Sequence, residues 1–154
     1  MPTTARNRTP AGKLDMLNLL IVIFHLSGPG LISRLIDCQI IIDNRIGRIC
    51  NILKELSKQK AFAVFFRDCR FYRYCGNTGD WYEDSVGTAL WCMEVAELIT
   101  EINIAAKSAY ILLQKLHFRG EQILAGLTEE DKQKLQVLAE EFAKLLKEGE
   151  KHYV

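Results

Sequence analysis

Residues 31–58, LISRLIDCQIIIDNRIGRICNILKELSK, decide the fold class. Leu35, Cys38, Ile42, Ile46, Ile49, Leu53 and Leu56 recur at steps of three and four, the period of one helix face. Arg34, Asp37, Asn44, Arg45, Arg48, Glu55 and Ser57 fall mostly off that face. Ile40-Ile41-Ile42 is β-branched and locally suits a strand. Single-residue propensity is a weak guide against a stripe of this length, so the spacing predicts one helix running through the three isoleucines.

Outward from this stretch the same period recurs. Leu14 to Leu26 is apolar nearly all round, as a helix in the middle of a bundle or sunk in an apolar medium would be. It is too short to cross a bilayer, which takes about 20 residues, and Ser27-Gly28-Pro29-Gly30 is expected to end it. His25 reads there as a packed or capping residue. Ala61 to Tyr74 reads as a further helical segment and Gly76 to Asp80 as a loop. A long third helix is expected from Asp84 to Phe118, with stripe Val95, Ile99, Ile102, Ala106, Ala109, Leu113 and Leu116. Asp84 is its expected cap and Arg119-Gly120 its stop. Thr128-Glu129-Glu130-Asp131 opens a last helix with Leu135, Leu138, Phe142 and Leu145 as stripe and Gly149 as its end. The expected fold class is all-α, an antiparallel bundle of four to five helices, two of them long. Residues 14–148 form its single domain, between a flexible N-terminal tail (1–13) and a C-terminal tail (149–154).

A chain of 154 residues, 49% apolar and 25% charged, is of one-domain size and globular composition. A net charge of +1 argues against a dedicated nucleic-acid binder. The charge is nonetheless segregated. Asn44 to Arg73 carries eight Lys/Arg against two acids, and Glu121 to Lys151 carries eight acids against five lysines. Segregation of this kind marks a polarised surface. Five cysteines with no CxxC, three of them (Cys38, Cys50, Cys92) in apolar patterns, read as reduced thiols in an intracellular compartment, cytoplasmic or organelle-associated. Arg6, Arg8 and Lys13, with no acid among them, would also suit a short targeting peptide.

No chemistry is announced. Glu94, Glu97 and Glu101 would share one helical face, but no histidine follows a glutamate at the spacing of a di-iron site. Cys69 and Cys75 lack a histidine near them to complete zinc ligation. Gly76-Asn77-Thr78-Gly79 matches neither a P-loop nor a dinucleotide fingerprint. Ser85 and Ser108 have no base at motif spacing. No catalysis, cofactor or metal is expected.

What stands out is Ala61 to Trp91, with both tryptophans and four of the seven phenylalanines. Arg67, Arg70 and Arg73 recur at every third residue among Phe65, Phe66, Phe71, Tyr72 and Tyr74. Rings beside guanidiniums suit a protein-docking patch, for which Arg, Tyr and Trp are the usual anchors, or an anionic membrane surface. The candidate binding residues are Phe66, Arg67, Arg70, Phe71, Arg73, Tyr74 and Trp81. The expected function is a non-enzymatic interaction or assembly protein that docks a protein partner or a second copy. A peripheral membrane protein with interfacial helices is the alternative.

Leu56-Ser57-Lys58, Ala61 to Asp68, Phe71 and Cys75-Gly76, followed by Trp81 and Ser85 to Trp91, resemble the pattern of the peroxin-eleven peroxisome-proliferation family. The resemblance covers roughly Leu53 to Ile102. Arg70 and Arg73 depart from it, standing where that family is mostly apolar, and the chain ends in a charged helix without a second apolar segment. The resemblance implies a helical protein that inserts amphipathic helices and remodels organelle membranes.

Overall fold

The computed structural model describes residues 13–31, 41–43, 46–75, 78–104 and 107–150. It is mostly helical and carries two small antiparallel sheets, so the all-α expectation is corrected. The described elements run α1 (Met16–Leu31), β1 (Ile41–Asp43), α2 (Ile46–Ser57), a 3-10 helix (Lys60–Phe66), β2 (Tyr72–Cys75), β3 (Thr78–Tyr82), α3 (Asp84–Val95), β4 (Ile99–Ile104), β5 (Lys107–Leu112), α4 (Gln114–Ala125) and α5 (Glu129–Glu150).

Helix α1 is the centre. Six consecutive residues, Leu19 to Phe24, are all at most 1% exposed, which is possible only for a helix covered on every side. It packs against α5, α4 and α3. Phe24 meets Phe142 of α5 with ring centroids 5.9 Å apart in a tilted pair. Ser27 Oγ donates to the α1 carbonyl of Ile23 (2.5 Å) and lies within reach of the α5 carbonyl of Ala139 (3.2 Å). The helix continues through Ser27-Gly28-Pro29-Gly30 to Leu31 instead of ending there.

The stretch 31–58 is not one helix. Ile41–Asp43 is a strand, pairing Ile41 with Ile111, Ile42 with Tyr110 and Asp43 with Ala109. The β-branched run prevails here because β5 supplies a partner edge that no local period can reveal. Residues 32–40, with Cys38, lie outside the described residues. From Ile49 onward the stripe holds, with Ile49, Leu53 and Leu56 fully buried, whereas Ile46 at the start of α2 is exposed.

The expected helix from Asp84 to Phe118 is three structures. α3 ends at Val95, β4 and β5 form a hairpin, and α4 follows. Leu98 N–H donates to Met93 O and Glu97 N–H to Glu94 O, the two bonds of a Schellman stop. Glu97 holds the left-handed position of that stop at φ 61°, where glycine is usual. The sheet order is β1-β5-β4. The helical cap is Glu83, not Asp84: its carboxylate accepts from Ser85 N–H (2.9 Å) and from the Ser85 hydroxyl. Gly120 stops nothing and sits inside α4, buried.

The segment from Ala61 to Tyr74 divides into the 3-10 helix and strand β2, and the expected loop Gly76 to Asp80 is largely strand β3. The chain therefore runs twice through the same unit, a hairpin followed after one residue by a 12-residue helix. Helix α5 starts as expected, with Thr128 Oγ1 accepting from Asp131 N–H, and buries Leu135, Leu138, Phe142 and Leu146. It runs to Glu150, one residue past Gly149. Residues 1–12 and 151–154 of the expected tails lie outside the described residues. No helix among the described residues is long and apolar enough to cross a membrane.

Candidate functional site

The basic aromatic stretch becomes a hairpin seated on α2. Trp81 N–H donates to Asn51 Oδ1 (2.7 Å), and Asn51 Nδ2 donates to Asp80 Oδ1 (2.8 Å). Gly47 lets Asp80 approach: a Cβ at that position would lie 2.4 Å from Asp80 Oδ2. The register sets Tyr72 opposite Tyr82 and Arg73 opposite Trp81. Cross-strand partners share a face, so the Arg73 guanidinium comes to lie 4.4 Å from the Trp81 ring centre. Lys54, one turn after Asn51 on α2, brings its ammonium to 4.7 Å from the same ring and 5.6 Å from that of Phe71. Two cations from different elements are thus held against one indole.

Of the candidate binding residues, Arg67, Arg70 and Arg73 are exposed, and Phe71 and Trp81 are half-buried. Phe66 does not belong to the surface. It is buried in the core with Phe62 and Phe65, because the 3-10 turn points it inward. Tyr74 lies in β2, and its side chain is outside the described residues. Neither the Arg67 nor the Arg70 side chain pairs with a carboxylate among the described residues. The carboxylates nearest in sequence are mostly committed. Asp80 serves Asn51, Glu55 pairs with Lys58, and buried Glu83 caps α3 while accepting the Arg70 N–H at 3.4 Å. Lys54 was not among the expected residues. Its spacing in α2 marks only a solvent-facing position, and the ring it meets lies 27 positions later in the chain.

A second cluster joins α1 to α4. His25 Nδ1 and His117 Nδ1 are 2.8 Å apart, and His25 Nε2 lies 2.6 Å from Glu121 Oε1. His25 is therefore neither a cap nor merely packed. Gly120 makes room for it, since a Cβ there would fall 2.6 Å from His25 Cγ. Burial, and then the nearby His25, hold His117 below the usual imidazole range. Glu121 takes the far nitrogen of His25, so the three side chains do not converge on a point. Among the described residues no group of three or more His, Cys, Asp or Glu is placed to hold a metal ion.

The three glutamates do not share a helical face. Glu94 is on α3, Glu97 in the turn and Glu101 on β4. The reversal brings Glu94 and Glu101 within hydrogen-bonding contact, and burial followed by Glu101 raises Glu94 above the usual carboxylate range. Tyr110, paired across the strands with Glu101, is pushed up to about 12 by burial and by these two acids. Glu97 turns away to Lys115 (3.7 Å). Burial, with Glu83 adding its charge, pushes Cys50 to about 11 and Cys69 to about 12, so neither thiol is a thiolate at neutral pH. Cys92 is half-exposed, and the Cys75 side chain is outside the described residues.

Comparison with known proteins adds no kinship: no family model, no curated protein and no solved structure matches the chain.

Proposed function

We propose that the protein is a docking module without catalytic chemistry, which binds an acidic protein segment on the face built by α2 and the β2–β3 hairpin. The observation that carries this is the pair of cations, Lys54 and Arg73, braced on Trp81, with exposed Arg67 and Arg70 six and three positions before Arg73 in the chain. Charges already held in place lose less side-chain freedom when an anion arrives, which is what preorganisation contributes to affinity. Arg and Trp are also the residue types that dominate binding hot spots.

With the 3-10 helix and the β2–β3 hairpin between α2 and α3 set aside as an insertion, the order helix, strand, helix, helix, hairpin, with β1 against β5, is that of a helix-turn-helix module bearing a β-hairpin, a likeness of topology alone. In such modules the helix before the hairpin reads DNA with basic and amide side chains. α3, DSVGTALWCMEV, contains neither Lys nor Arg, which weighs against nucleic acid and for protein. The membrane alternative takes Leu14–Leu26 and Ala61–Tyr74 as interfacial segments, and the burial of Leu19 to Phe24 in α1 weighs against the first of them.

The test is a fluorescence-anisotropy titration with a labelled Asp/Glu-rich peptide, beside co-sedimentation with phosphatidylserine vesicles. The reading expects salt-sensitive peptide binding that Arg67→Glu/Arg70→Glu weakens by roughly tenfold or more, and indifference to vesicles. Vesicle binding without peptide binding would replace it with the membrane reading.

A further inference from the structure

Helices α1 and α4 meet through two imidazoles set end to end. His25 Nδ1 and His117 Nδ1 are 2.8 Å apart and the ring centres behind them 5.1 Å, so each ring aims its Nδ1 at the other. The third side chain fixes which nitrogen carries a hydrogen. Glu121 Oε1 lies 2.6 Å from His25 Nε2, and an ionised carboxylate can only accept. Nε2 therefore holds the hydrogen of a neutral His25, and its Nδ1 holds a lone pair. The proton between the rings then belongs to His117 Nδ1. The sequence protects this approach, since a Cβ on buried Gly120 would fall 2.6 Å from His25 Cγ. The cluster also opens to water. His25 is 13% exposed at its side chain, Glu121 70%, and His117 is half-buried.

An imidazole whose far N–H is given to a carboxylate is the form in which proteins present histidine to a metal ion. The carboxylate fixes the tautomer and makes the ligand nitrogen more basic. We propose that His25 Nδ1 and His117 Nδ1 chelate one divalent transition-metal ion of the imidazole-binding class, such as zinc, with Glu121 as the outer carboxylate. For the ion to enter, His117 passes its hydrogen from Nδ1 through water to Nε2. Both Nδ1 lone pairs then face the ion, and the two side chains lose no proton. Bonds of about 2.0–2.1 Å at tetrahedral angles put the nitrogens roughly 3.3 Å apart, about half an ångström wider than their hydrogen bond. A small turn of the half-buried His117 ring covers that difference. Two imidazoles and water make up the coordination sphere, since no group of three or more protein ligands converges among the described residues. The ion takes the place of the single proton that holds α4 to α1. This site is separate from the basic face and does not depend on the docking reading.

Calorimetric titration of the metal-free full chain with zinc chloride at pH 7.5 tests it, beside nitrogen-15 spectra of the imidazoles. One ion per chain is expected, with Nδ1 of His25 and His117 bound and both Nε2 atoms protonated. Cobalt in place of zinc should give no near-ultraviolet thiolate band, which separates this site from the cysteines. His25→Asn and His117→Asn should each abolish binding, and Glu121→Gln should weaken it by roughly ten- to a hundredfold. Zinc should raise the Tm of wild type and leave both histidine variants unmoved. Melts in chelator show whether each variant folds, and the wild-type nitrogen spectra decide for one that does not. No zinc binding, a thiolate band, ligation through Nε2, or binding that survives both histidine variants overturns the inference.

Discussion

His25 on α1 and His117 on α4 meet nitrogen to nitrogen at 2.8 Å, a separation that holds one proton and not two. With both rings cationic, two N–H groups would face each other and the contact would open. His117 sits below its ordinary 6.5 because burial disfavours its charge and His25 adds to that. The unfolded chain then takes up that proton first as the medium is acidified. The stability it contributes is full above about 6.5 and is lost as pH falls below that value. Thermal melts from pH 8 to pH 5 should show Tm dropping across this window, with a smaller drop in His117→Asn. An equal drop in both would place the acid sensitivity elsewhere.

Gly120 is a second handle on the same contact. In an open helix Gly→Ala gains about 1 kcal/mol. Here the new methyl would strike the His25 ring, whose beta carbon and ring carbons lie within 2.8 Å of its position. Gly120→Ala is expected to destabilise the fold by about 1–3 kcal/mol, read by urea unfolding. A net gain would mean that His25 moves aside at no cost.

Glu97 carries the opposite sign. Its left-handed backbone costs about 1 kcal/mol relative to glycine, and its ion pair with Lys115 is exposed and long. Glu97→Gly should raise stability by about 0.5–1 kcal/mol. Destabilisation would show that the ion pair outweighs the backbone.

Arg48, buried at 9% exposure, donates to the carbonyl of Leu146 near the end of α5. A cation there also opposes the negative end of the helix dipole. Arg48→Ala is expected to cost about 2–3 kcal/mol in the same unfolding assay, whereas exposed Arg67→Ala should cost less than about 0.5 kcal/mol.

The body of α1, α5 and most of α2 were legible in the sequence, because α5 and α2 repeat an apolar face that they bury and α1 is apolar on every side, though its continuation past Leu26 was not. The hairpins were not. Val95, Ile99, Ile102, Ala106 and Ala109 fit a heptad, yet Glu101-Ile102-Asn103-Ile104 also alternates with period two, and a short stretch fits both. The Schellman stop that decides between them rests on Glu97 in a conformation a non-glycine seldom takes. The aromatic run Phe71 to Tyr74, followed by Gly76-Asn77, bears a hairpin signature that the every-third-residue arginines masked. The basic face was legible in part. Arg67, Arg70, Arg73 and Trp81 were readable as residue types, whereas Lys54 joins them only through the seating of β3 on α2. Nothing local connects His25 with His117 and Glu121, which meet only when α4 closes on α1.

The central claim is that an acidic segment docks where Lys54 and Arg73 brace Trp81. The chain has two tryptophans, so Trp91→Phe leaves Trp81 as the sole indole. Following its emission during titration with the Asp/Glu-rich peptide tests the claim most directly. A saturable change, weakened by salt and by Arg67→Glu/Arg70→Glu, is the expected result. Trp81 emission that stays flat while anisotropy shows the peptide bound would contradict the account.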